Sequence, residues 1–286
     1  MIFGQIIVDS WHLRRHKAGG KNGKLGHAVA HFGAKLAVKR VNCDKFVTMK
    51  GKFDGITTVF LDVDDTLWWF TENSKVALDH TYHMFHLDDW CSGYESFVTI
   101  YRAKNVELWH KFHHGEITKE YLQNERFRYV LEKAGYGGNC DELGAKMNKE
   151  YLDYLSRLPK VVPGAKQLLA YLRGKGYDVN ALSNGFKGLQ DRKLRSGGID
   201  GYIKHLVLSD DCGITKPMRG IFDYALSVTG STADSTVMIG DDPDADIAGA
   251  HDAGWKTIFF NIRGIDSAGV PCDAEVKELG EIEHLL

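Results

Sequence analysis

The chain has 286 residues, 43% of them hydrophobic and 26% charged, with a net charge of −2. This is the balance of a soluble globular protein with one large domain or two ordinary ones. No apolar run approaches the roughly 18 residues of a membrane helix, and the net charge gives no general pull toward a nucleic acid polymer or an anionic membrane. The cysteines Cys43, Cys91, Cys140, Cys212 and Cys272 are scattered, with no CxxC pair and no zinc spacing, which points to a reduced, cytoplasmic compartment.

Residues 1–48 hold nine Lys or Arg against Asp9 and Asp44, a net +7 that leaves −9 for the other 238 residues. The segment has no sustained helical or strand period and no continuous apolar stretch of the secretory kind. A basic arm for nucleic acid and a targeting peptide compete as readings. The simplest is a disordered or dispensable leader, with Met49 as the functional start.

Next comes Ile56-Thr-Thr-Val-Phe-Leu61, apolar or β-branched throughout, which reads as a buried strand and ends in Asp62-Val63-Asp64-Asp65-Thr66. Carboxylates this close repel one another, so a cation or a reaction must compensate them. If the strand continued regularly, Asp62 and Asp64 would face the same side. One could then attack an electrophile while the other handles a proton.

Residues 68–160 carry helical periodicity and few strand signals, with helices predicted near 74–87, 94–114, 118–134 and 141–157. Gly93, Gly115, the glycines at 135, 137 and 138, and Pro159 punctuate this small helical bundle. After Pro163-Gly164 the pattern alternates. A helix near 164–174 leads to a strand at 177–182, a helix near 187–196 and a strand at 204–208. A helix at 218–229, a strand at 236–239, a helix near 244–253 and a strand at 256–260 follow, and a C-terminal helix closes the chain. Such alternation predicts an α/β fold, a doubly wound, Rossmann-like parallel sheet, whose ligands bind at the carboxyl ends of the strands. The domain reading is therefore a core of residues 49–67 and 161–286 with an inserted helical cap at 68–160.

Four polar clusters fall at those strand ends: Asp62-Val-Asp64-Asp65-Thr66, Ser183-Asn184-Gly185, Lys216-Pro217 and Gly240-Asp241-Asp242-Pro243-Asp244-Ala245-Asp246. Together they supply what phosphoryl transfer needs: a nucleophile, an acid/base, donors for phosphate oxygens, a fixed cation and carboxylates for a magnesium ion. In this order the motifs resemble those of the haloacid dehalogenase-like phosphohydrolase superfamily, over nearly all of residues 55–286. The resemblance implies Asp62 as the nucleophile that becomes an aspartyl-phosphate and Asp64 as the general acid/base. It implies Thr66, Ser183, Asn184 and Lys216 around the phosphate. Mg2+ would be held by Asp62, Asp241 and the main-chain carbonyl of Asp64, with Asp246 behind them. An acid at Asp64 favours phosphate-ester cleavage over dehalogenation, because an alkoxide leaves poorly without a proton.

The helical insert resembles the C1-type cap of that superfamily. The stretch Leu108 to Thr118, continuing into Gln123-Asn124-Glu125-Arg126-Phe127, resembles the pyrimidine 5′-nucleotidases that act on noncanonical nucleoside monophosphates. A small-molecule phosphomonoester substrate is implied. A sugar-phosphate or phosphoglycolate phosphatase, or a mutase, is the alternative, and the intact motif set argues against a non-catalytic binding protein. Trp68, Trp69 and Phe70 can stack on a nucleobase or other planar group, or pack the hinge of the cap, with hinge packing the plainer reading. Arg126 is a substrate contact or, more plainly, a surface ion-pair residue. His80, His83, His86, His110, His113 and His114 read as solvated or packed cap side chains. Nothing in the sequence signals an oligomeric state.

Overall fold

The computed structural model describes residues 51–286, so the basic leader 1–48 and the start at Met49 lie outside the described residues. Strands β1 (Thr58–Leu61), β2 (Asp178–Ser183), β3 (Leu206–Leu208), β4 (Thr236–Gly240), β5 (Lys256–Phe260) and β6 (Ala274–Val276) form one sheet in the order 3-2-1-4-5-6. Every pairing is parallel. The register matches Leu61 to Ala181 on one side and to Ile239 on the other. The residues that follow β1, β2 and β4 therefore emerge side by side at one edge.

Both faces of the sheet are covered, as a parallel sheet requires. The period-2 alternation sorts the strand residues between them. Val59, Leu61, Val179, Ala181, Val237 and Ile239 join the larger core cluster, with Leu168 and Leu172 of helix α5. Phe60, Leu182 and Met238 point the other way, against Ile221, Phe222 and Ala225.

Between β1 and β2 the chain forms α1 (Phe70–Met84), α2 (Tyr94–His113), α3 (Lys119–Lys133) and α4 (Cys140–Leu155), and α5 (Ala165–Gly174) then leads into β2. Thr118 caps α3, and Asn139 caps α4 through its Oδ1, which accepts from Asp141 and Glu142 N–H. Phe97, Tyr101, Phe127 and Tyr151 fill the space between these helices as one aromatic cluster. After β2 come α6 (Leu189–Ser196), the single turn α7 (Ser209–Cys212), α8 (Arg219–Thr229) and α9 (Gly249–Asp252).

The sequence reading differs from the structure at three places. Residues 244–253 are not one α-helix but a π-helical turn, Pro243–Ala248, running into α9. Asp242 sets that turn, because its Oδ1 accepts from Asp244 and Ala245 N–H at 3.0 and 2.9 Å. The C-terminal helix is a 3-10 stretch, Leu279–His284, seated on α5 by Leu279, Ile282 and the Tyr171 hydroxyl donating to Glu283 O. Strand β6 escaped prediction because three residues, Ala-Glu-Val, are too short to show a period. Among the described residues no helix is long and apolar enough to cross a membrane.

Candidate active site

Strand β1 stops at Leu61, but Asp62 N–H still donates to Ile239 O at 2.9 Å, holding Asp62 in line with β4. The chain then turns. Asp65 takes a left-handed φ of 61°, and its carboxylate accepts from Thr71 N–H (2.8 Å) and the Thr71 hydroxyl (2.7 Å). Asp65 thus ties the turn to the start of α1.

Lys216 reaches this edge from the loop before α8 and is 2% exposed. Its Nζ donates to Asp62 Oδ1 (2.6 Å), Asp246 Oδ1 (2.6 Å) and Leu182 O (2.8 Å), which uses all three of its N–H bonds. The backbone of Lys216 is itself clamped by Asn184, whose Nδ2 donates to Lys216 O while its Oδ1 accepts from Lys216 N–H, each at 2.8 Å. The Asn184 side chain is therefore committed to positioning Lys216, and only its main chain remains for a phosphate.

Asp62, Asp241 and Asp246 are all buried and each offers a carboxylate oxygen within 4.8 Å of the others. Gly240 permits this approach, since a Cβ there would collide with the Asp246 carboxylate. Burial pushes Asp62 up to about 8, with Lys216 opposing and Asp246 and Asp64 adding to the rise. Burial also raises Asp246, and burial with Asp62 and Asp246 as neighbours raises Asp241 well above the carboxylate range. Burial works against the Lys216 ammonium, but Asp246 and Asp62 outweigh it and hold its proton more tightly. With all three ionised, the buried carboxylates against one buried ammonium would leave an excess of negative charge, which adds to burial in making each hold its proton more tightly. Hard oxygen donors with that excess fit a Mg2+ ion.

Asp64 faces a different set of partners. Both its oxygens accept from Lys193 Nζ, at 2.8 and 2.9 Å, and Oδ2 also accepts from Gln190 Nε2 at 2.9 Å. Gln190 Nε2 donates as well to Ser183 Oγ (2.7 Å), which further accepts from Gly185 N–H (3.0 Å). A Cβ at Gly185 would push the Gln190 amide away from Asp64 and Ser183. Sequence reasoning missed Gln190 and Lys193. They sit three apart on α6, both buried, in a helix whose polar composition reads as a surface element.

A cavity of about 300 Å³ joins these groups to the helical insert. Asp62, Asp64, Ser183, Asn184, Lys216, Asp241 and Asp246 line it, and so does Arg126. Thr66 does not; it is fully buried and its hydroxyl points to Asp241 Oδ1 at a long 3.5 Å. Nor do the tryptophans. Trp68 is fully buried with its Nε1 donating to Leu158 O at 3.0 Å, and Trp69 lies under Lys160 Nζ, 4.9 Å from the ring centre. Of that aromatic run Phe70 does line the cavity, with Trp109 and Phe186. Arg126 is no surface residue: it is 3% exposed, and its Nη2 donates to Asn148 Oδ1 at 2.5 Å. Among the histidines, His113 also lines the cavity.

The model of the haloacid dehalogenase-like hydrolases matches residues 56–254, and the chain belongs to that family. It is an enzyme with phosphatase and nucleotidase relatives. It is 32% identical to the pyrimidine 5′-nucleotidase YjjG of Escherichia coli K12, over 80% of this chain and 96% of the relative. It is 29% identical to a ribulose-1,5-bisphosphate 5-phosphatase of Halopiger xanaduensis, over 80% of this chain and 99% of that protein. The HAD-hydrolase YfnB of Bacillus subtilis, solved with magnesium bound, superposes with a TM-score of 0.71 at 28% identity, covering 81% of this chain and 98% of YfnB.

Proposed function

We propose that this chain is a Mg2+-dependent phosphomonoester hydrolase that works through an aspartyl-phosphate on Asp62, with pyrimidine nucleoside 5′-monophosphates as substrates. One observation carries the reading: a single cavity holds Asp62, Asp64, Ser183, Lys216 and the buried acidic cluster together with an aromatic wall. In this reading residues 49–67 and 161–286 are the core, and 68–160 form a cap over the strand ends that excludes water and selects the substrate.

Asp62 attacks phosphorus as the bond to the ester oxygen breaks, and Asp64 gives that oxygen its proton. Water then loses a proton to Asp64 and attacks the same phosphorus, which frees Asp62 and inorganic phosphate. Lys216 orients the attacking carboxylate, to which it is already bonded. The Ser183 hydroxyl and the main-chain N–H groups after it are the donors for phosphate oxygens. Asp62, Asp241 and the Asp64 carbonyl would hold Mg2+, with Asp246 behind them. Bound there, the ion supplies positive charge that offsets the carboxylates and the phosphate.

The name of the YjjG relative supports a pyrimidine nucleotide, and that of the Halopiger relative supports a sugar phosphate. The lining favours the first. Phe70, Trp109 and Phe186 offer faces to a planar ring, beside the polar Asn105, Arg126 and His113. Phosphate release with Mg2+ from UMP, dUMP and dTMP, against ribose 5-phosphate, ribulose bisphosphate and phosphoglycolate, tests this. A higher kcat/KM for any sugar phosphate than for every pyrimidine nucleotide overturns the nucleotide assignment. Release from none of them overturns the hydrolase mechanism.

A further inference from the structure

Two side chains of the helical insert reach the cavity with buried polar atoms that have no protein partner. Arg126 on α3 is 3% exposed and its Nε–H is buried and unbonded. Its one hydrogen bond is to the neutral Asn148, and no carboxylate among the described residues forms an ion pair with it. Asn105 on α2 also lines the cavity, and its Oδ1 is buried without a donor. A buried guanidinium without a counter-charge and a buried amide oxygen without a donor are each costly to leave so. Two of them in one cavity wall describe the polar edge of an absent ligand.

The same wall states what that ligand is. Trp109 lies one turn after Asn105 on α2, so both are on the same side of the helix. The Trp109 ring stacks on Phe186 from the loop after β2, with centroids 5.6 Å apart and planes 19° apart. A second phosphate would satisfy Arg126, but it has no proton for Asn105 Oδ1 and no use for aromatic faces. A planar heterocycle with a carbonyl next to a ring N–H satisfies both polar atoms and lies against the aromatic wall. We infer that Asn105 and Arg126 are the specificity-determining pair of this enzyme and read the imide edge of a uracil-type base, Arg126 donating to a ring carbonyl and Asn105 accepting the adjacent N3–H. The assignment rests on the nucleotide-phosphatase reading above.

The test is steady-state hydrolysis of UMP, 3-methyl-UMP, ribose 5-phosphate and ribulose bisphosphate, with Mg2+, by the wild type, Arg126→Met and Asn105→Ala. In the wild type, blocking N3–H with a methyl group lowers kcat/KM roughly tenfold or more, because a buried acceptor loses its donor. Asn105→Ala removes that preference, bringing UMP and 3-methyl-UMP within about threefold of each other. Arg126→Met lowers kcat/KM for UMP by about ten- to a hundredfold, mainly through KM, and changes ribose 5-phosphate by less than about threefold. The wild-type comparison needs no altered protein, and the thermal unfolding midpoint of each variant reports whether it is folded. Equal wild-type use of UMP and 3-methyl-UMP overturns the assignment, as does an Arg126→Met loss confined to the bisphosphate. If the wild type hydrolyses sugar phosphates but no nucleotide, the nucleotide reading falls and takes the pair with it. If it hydrolyses UMP and both variants do so equally well, only the pair falls.

Discussion

At the strand ends Lys216 is 2% exposed and each of its N–H bonds meets an acceptor, two of them carboxylates. In the helical insert Arg126 is 3% exposed, yet its Nε has no partner and its one bond goes to a neutral amide. Both cations are buried beside the same cavity, so burial alone does not separate them. Partnering does. All three N–H bonds of Lys216 are made before any substrate arrives, which is what a group that orients a nucleophile requires. The insert leaves two buried polar atoms, Arg126 Nε and Asn105 Oδ1, without a protein partner, which suits groups that find their partner on the ligand. In the proposed function, chemistry and selection lie on two sides of one space and are separable by mutation.

The sharpest break is Asp62→Asn. It keeps the shape of the strand end but removes the nucleophile, and it is expected to lower kcat at least about a thousandfold for every phosphomonoester alike. Single-turnover phosphate release measures it, and near wild-type rates would refute the aspartyl-phosphate mechanism. Metal removal acts on the same side of the cavity. With EDTA, turnover should fall to background, and added Mg2+ should restore it for all substrates equally. Full activity in EDTA ends the role given to Asp241 and Asp246.

Lys193 stands between the two sides. It comes from α6, bonds both oxygens of Asp64, and lies 5.4 Å from the centre of the Phe70 ring where the insert begins. It is a positioning residue for Asp64, and Lys193→Met is expected to lower kcat roughly ten- to hundredfold while KM stays within about threefold. Lys193→Arg should recover part of the loss. A change confined to KM would move Lys193 to the selecting side.

The strand-end side was legible in the sequence because its residues are contiguous with strands. An apolar run that ends in Asp62-Val-Asp64, or in Gly240-Asp241-Asp242, places its own carboxylates at the sheet edge, and parallel register does the rest. The insert gives no such rule. Whether Asn105 or Arg126 faces solvent or cavity depends on how α2 and α3 are rotated in the bundle, and a polar residue in an amphipathic helix reads as exposed by default. Trp68 shows the converse: an aromatic beside the nucleophile invites a stacking role, but its indole N–H is held by Leu158 O inside the hinge. The motif sets Thr66 beside the phosphate, but its hydroxyl points to Asp241 Oδ1, and the Asn184 side chain clamps Lys216 while its main chain stays available.

His113 yields the smallest expected effect and a distinct sign. It sits at the end of α2, lines the cavity, and its main-chain carbonyl accepts from the Thr215 hydroxyl at 3.0 Å, next to Lys216. Burial lowers its pKa from 6.5 to about 4, with Asp242 opposing and Lys216, His114 and His110 assisting. A base whose folded pKa is depressed contributes stability that is present above 6.5 and lost as pH falls from 6.5 toward 4, because only the unfolded chain takes up the proton in that window. The loss, discounted for partial exposure, is on the order of 2 kcal/mol. The raised carboxylates Asp62, Asp241 and Asp246 carry the opposite sign, binding protons more tightly when folded and so favouring the folded state as pH falls. The wild-type curve therefore mixes the two sides of the cavity, and the difference between wild type and His113→Gln isolates one. Thermal unfolding without metal should show the variant losing less stability than the wild type between pH 6.5 and 4, with the two curves parallel above 7. Parallel curves throughout would mean that His113 is protonated as readily in the folded protein as in the unfolded chain, and that the insert buries no base at this point of the cavity.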